Sequence, residues 1–127
     1  MSNTNFSPRF CITDFTTIPQ TDLWCVEDTG LVVQKGGVAL PIRTVNATST
    51  ATVGDYTILC DASAAQLDVL FFEPETTGNI LVVKKIDLQA TNVVIKGATI
   101  ENSSQAVLSV GGATQTFQWD GTQWRFI

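Results

Sequence analysis

Short apolar runs recur along this chain at fairly even spacing, each closed by residues that turn the backbone. The runs are Arg9–Phe15, Leu23–Glu27, Leu31–Gln34, Val38–Val45, Tyr56–Cys60, Leu67–Phe72, Ile80–Ile86, Asn92–Lys96, Ala106–Val110, Gln115–Trp119 and Thr122–Ile127. They are rich in valine, isoleucine, threonine and aromatics, which suit a pleated, half-buried strand. No segment shows the i, i+3, i+4 recurrence of an amphipathic helix. Asp28-Thr29-Gly30, Gly36-Gly37, Thr77-Gly78-Asn79, Gly111-Gly112 and Asp120-Gly121 stand between runs as turn signals. Pro41, inside Val38–Val45, marks an edge strand or a break. This rhythm predicts an all-β protein: a β-sandwich, a jelly roll or a small barrel.

Residues 46–52 read Asn-Ala-Thr-Ser-Thr-Ala-Thr, small and polar, and predict a connector. On that reading residues 1–45 form an extended, strand-rich anchor segment and residues 53–127 a β-sandwich or jelly-roll-like domain. The anchor carries Phe6, Phe10, Phe15, Leu23 and Trp24, and is too short to bury them on itself. These five are therefore the candidate anchoring residues.

Two further patterns bear on the core. If Asp120-Gly121 is a two-residue turn, Phe117 faces Trp124, and Phe117, Trp119, Trp124 and Phe126 share one face. Four aligned rings read as a core face, with a sugar-stacking platform as the functional alternative. Leu67–Phe72 and Ile80–Val83 are apolar at successive positions, so they require cover on both sides. Leu70, Phe71, Phe72, Leu81 and Val83 are accordingly expected in the core or in the interface of an oligomer.

Composition narrows the chemistry. The 127 residues are 44% apolar and 15% charged, enough for a core and too apolar for a disordered chain. Twelve carboxylates against seven Lys and Arg give a net charge of −5, which argues against a nucleic-acid partner. Lys84-Lys85 is the one adjacent basic pair and reads as two surface lysines on opposite faces of a strand. No run reaches the roughly 20 apolar residues of a membrane-spanning helix. Cys11, Cys25 and Cys60 are expected to be unpaired in a chain made in a reducing cytoplasm. There is no histidine to serve as a base or a zinc ligand, and no metal or cofactor is expected. Glu73, Glu75 and Glu101 read as solvated turn charges. The chain is expected to be no enzyme.

Val53–Ile127 also carries a distinctive order of short blocks. They are Val53-Gly54-Asp55-Tyr56-Thr57-Ile58-Leu59-Cys60-Asp61-Ala62-Ser63, Phe72-Glu73-Pro74, Gly78-Asn79-Ile80 and Val83-Lys84-Lys85-Ile86-Asp87. Asn92-Val93-Val94-Ile95, Ala98-Thr99-Ile100-Glu101 and Phe117-Gln118-Trp119-Asp120-Gly121-Thr122-Gln123-Trp124 follow. In this order they resemble a β-module of virion appendage proteins of tailed bacteriophages: head fibres, capsid decorations and tail fibres. The resemblance implies a homotrimeric virion structural part, assembled in the host cytoplasm, with no shared catalytic motif. Its implied partners are its own copies and other virion proteins, above all the major capsid protein, and in some modules a host-surface glycan. Two classes follow. One is a capsid decoration or head fibre held by residues 1–45; the other is a tail-fibre or receptor-binding module, with a neck or baseplate adaptor as a variant.

Overall fold

The computed structural model describes residues 36–127 and, before them, the backbone of three strands, β1 (Arg9–Asp14), β2 (Thr21–Glu27) and β3 (Val32–Gln34). The chain divides into two units, Met1–Ala39 and Leu40–Ile127. In the first, β1 and β3 flank β2 in an antiparallel sheet, with Cys11 opposite Cys25 and Trp24 opposite Gln34. The side chains of Phe6, Phe10, Phe15, Leu23 and Trp24 lie outside the described residues.

The second unit holds β4 (Ile42–Val45), β5 (Ser49–Thr50), β6 (Thr57–Cys60), β7 (Leu67–Leu70), β8 (Ile80–Lys85) and β9 (Val93–Ile100). After these come β10 (Ser103–Leu108), β11 (Thr114–Trp119) and β12 (Trp124–Phe126). All nine join one mixed sheet, nearly closed into a barrel, in the order β4-β6-β8-β11-β12-β9-β7-β5, with β10 on the flank of β9.

The all-β expectation holds, but the topology is not the antiparallel one of a sandwich or jelly roll. Consecutive strands alternate between two parallel ladders, β4-β6-β8 and β5-β7-β9. The chain therefore winds as three stacked coils: β4 with β5, β6 with β7, β8 with β9. The β11–β12 hairpin then closes the third coil, β11 antiparallel to β8 and β12 parallel to β9. β4 and β5 fall in the stretch expected to end the anchor and form the connector. They are strands of this sheet, and Ala51 is buried in its core. The unit boundary accordingly lies at Ala39/Leu40.

Stacking puts inward residues in columns. Arg43, Ile58 and Val83 are register partners across the first ladder, as are Val45, Cys60 and Lys85. Ser49, Val69 and Ile95 align across the second. The corners are tied coil to coil: the Asp61 N–H donates to Val45 O at 2.8 Å, and the Ile86 N–H to Cys60 O at 2.9 Å. Gly97 lets β9 cross β7 closely. Its φ is +99°, and a Cβ there would lie 2.7 Å from Phe71 O.

The closing hairpin is two residues out of the expected register. Phe117 faces Phe126 and Trp119 faces Trp124 across a four-residue turn, Asp120–Gln123. Asp120 Oδ1 accepts the N–H groups of Thr122 and Gln123 at 2.8 and 2.9 Å, an Asx turn that favours the longer loop. A two-residue slip preserves the facing, so the four rings share a face as expected. Phe117 and Trp124 are fully buried and Trp119 nearly so, whereas Phe126, near the chain end, is 45% exposed. Phe117→Ala is thus expected to lower unfolding stability by roughly 3–5 kcal/mol. Phe126→Ala should lose only about 1 kcal/mol, the worth of one aromatic pair. Urea unfolding followed by tryptophan fluorescence checks both, and equal losses would contradict this register.

Candidate interaction surfaces

Of the nine core and interface candidates among the described residues, six are buried. Phe71, Leu81 and Val83 are buried in the domain's own core, with Phe117, Trp119 and Trp124. Phe71 meets Phe117 edge-on at 5.0 Å and Trp124 at the same centroid distance. The Trp124 indole N–H donates to Phe72 O at 2.9 Å, so the deepest ring leaves no buried donor unpaired. Phe72 is half-buried against this cluster, and Leu70 is half-buried on the outer face, in register with Lys96. Three of the four aligned rings are thus enclosed, as a core face requires.

Lys85 corrects the reading of two surface lysines. Lys84 points outward, but Lys85 is fully buried. Its parity with Leu81 and Val83 was the available signal. The Lys85 ammonium pairs with the Asp87 carboxylate and donates to Gln89 O at 2.8 Å. Asp87 also accepts the Ala62 N–H at 2.7 Å and the Gln89 N–H at 3.0 Å. Asp87, held by Lys85, therefore fastens the corner of the third coil to that of the second. The Lys85 ammonium, aided by those two N–H groups, holds the Asp87 carboxyl below the usual carboxylate range. Cys60 lies in the same column, and burial pushes its thiol up to about 11, so it is an inert apolar filler.

A second charged device lies at the open edges of the sheet. β4 and β5 are its two ends, and Arg43 spans the gap between them. Its guanidinium binds Asp55 through Nε at 2.8 Å and Nη2 at 3.0 Å, and donates to Thr50 O at 2.9 Å. The Arg43 hydrogen bonds hold the Asp55 carboxyl below its ordinary range. In Arg43's column the next residues are Ile58 and Val83, so the cation covers the open end of an apolar stack.

The remaining surface features lie on loops. An open pocket of about 380 Å³ is lined by Val53, Phe72, Glu73, Pro74, Glu75, Thr76 and Asn79. It lies where the chain enters β8. Where the chain leaves β8, Leu88 stands 87% exposed, and Val110 on the neighbouring loop 69% exposed. Gly111 joins these two loops closely, since a Cβ there would lie 2.7 Å from Asp87 O and 2.9 Å from Leu88 Cα. A third cluster secures the β9–β10 turn, whose Glu101 and Asn102 both have positive φ. Arg125 links Asp120 at 2.8 Å to Glu101 at 3.4 Å, and Gln123 bonds Asn102 at 2.9 Å. Among the described residues no group of three or more His, Cys, Asp or Glu is placed to hold a metal ion. No protein-family model matches this chain, and neither does any curated protein.

The carboxylates fix the sign of the pH dependence. Asp55, Asp87 and Asp120 are all held below their ordinary range in the folded protein, Asp120 by the Gln123 and Thr122 N–H groups before Arg125. Unfolded, such groups titrate near about 3.9, so on acidification the unfolded chain takes up protons first. Stability is then full above about pH 5 and falls as the pH drops through the folded values. The urea midpoint is expected to be flat from about pH 8 to pH 5 and to decline below about pH 4. Lys85→Met removes the partner of Asp87, so it should lower the plateau and flatten that decline. Lys84→Met should leave both in place. Identical behaviour of the two variants would contradict the corner assignment.

Proposed function

We propose that this chain is a structural part of a bacteriophage particle, a homotrimeric capsid decoration or head fibre rather than an enzyme. The observation that carries this reading is the division at Ala39/Leu40. A three-stranded N-terminal sheet precedes a β-domain whose aromatic core is its own. Residues 36–42 lead into that domain with every residue exposed, which suits a joint between an anchor and a projecting head. The N-terminal unit attaches to the major capsid protein, and the coiled domain stands outward. The receptor-binding alternative has less support, because the rings best suited to stacking on a sugar are inside the domain.

Particles lacking the protein provide the test. The full chain, added back, is expected to decorate them in multiples of three copies. A fragment spanning Leu40–Ile127 should fold, judged by circular dichroism, but fail to bind. If the fragment decorates as well as the full chain, attachment lies in the β-domain and the two ends have been assigned in reverse. If neither binds, and mass spectrometry finds no such chain in native particles, the virion reading falls.

A further inference from the structure

The two ends of β8 carry complementary surfaces. Before Ile80 lies the pocket walled by Val53, Phe72 and Pro74, with Glu73 and Glu75 exposed around it. After Lys85 lies the apolar tip formed by Leu88 and Val110. A six-residue strand separates them by roughly 20 Å.

The tip is braced. Lys85 holds Gln89 O from below, the Asp87 carboxylate accepts the Gln89 N–H, and Gly111 seats the Val110 loop against Leu88. A leucine held 87% exposed by such a framework has little freedom left to lose on docking, which is how a contact gains affinity cheaply. Charge follows the same division. Beside the tip, the Lys84 ammonium meets neutral acceptors, Gly112 O and Thr114 Oγ1, both at 3.3 Å. Beside the pocket, neither Glu73 nor Glu75 joins an ion pair among the described residues. A cation accompanies the apolar protrusion, and two carboxylates accompany the apolar recess.

We infer that the Leu88–Val110 tip of one copy of this chain docks into the Val53–Phe72–Pro74 pocket of the next, with Lys84 facing Glu73 and Glu75. The contact is heterologous, because the two patches are different and lie at opposite ends of one strand. Such a contact builds a ring where the rotation closes, and closure after three copies gives a trimer. The inference rests on the trimer in the proposed function and names its interface.

Sedimentation equilibrium of the full chain tests it. The wild type is expected at three times the 13.7 kDa chain mass. Leu88→Asp, at an exposed site, should fall to the single-chain mass with an unchanged circular dichroism spectrum. Glu73→Lys with Glu75→Lys should do the same, and adding Lys84→Glu to that pair should restore the trimer. Mixing Leu88→Asp with the pocket variant leaves one intact tip and one intact pocket, so a species of two chains should form. A Leu88→Asp protein that remains trimeric overturns this contact while the trimer stands. A monomeric wild type overturns both. Assembly that breaks as expected in a chain absent from phage particles would keep the contact and remove the virion reading.

Discussion

A short strand cannot satisfy its backbone alone, and the parallel coils of this domain are built from strands of two to eight residues. Each coil takes its hydrogen bonds from the one beside it, which fixes the register and stacks inward side chains in columns. A column admits only residues that tolerate burial on every side: Ile58 beside Val83, Val69 beside Ile95, Cys60 beside Val45. A one-residue slip would expose the whole set, so the columns hold the ladders in place.

Charge enters the columns at two points, and each finishes an end of the stack. Lys85 ends its column at the third coil, where its ammonium is neutralised by Asp87, and Asp87 ties two corners together. An unpaired cation at that depth would cost several kcal/mol, so the partner is obligatory. Arg43 occupies the first coil, where the sheet is open, and its partner Asp55 comes from the loop that leads into the second. There the side chain substitutes for the missing ladder between β4 and β5.

Much of this was legible in the sequence. Strand content, most turns and the aromatic face followed from period-two alternation and glycine placement. The parallel winding was not, because a parallel and an antiparallel strand of four residues share one pattern, and Ser49–Thr50 is too short and polar to register as a strand at all. Leu67–Phe72 and Ile80–Val83 read as strands that require cover on both sides. In the fold, the outward Leu70, Ile80 and Val82 are half-buried. Leu88 and Val53, the two most exposed large apolar side chains among the described residues, lie in loops where no periodicity marks them. The hairpin register was missed because Asp120-Gly121 suits a two-residue turn locally, while the Asp120 carboxylate gathers two further N–H groups into a longer one.

The stacking of parallel coils is most directly tested by inter-strand backbone contacts in the nuclear Overhauser spectrum of the labelled protein. Contacts are expected in parallel register between β4, β6 and β8, linking Ile58 to Arg43 and Val83, and between β5, β7 and β9, linking Val69 to Ser49 and Ile95. Antiparallel contacts between strands consecutive in the chain, β6 with β7 or β8 with β9, would contradict the coiled architecture.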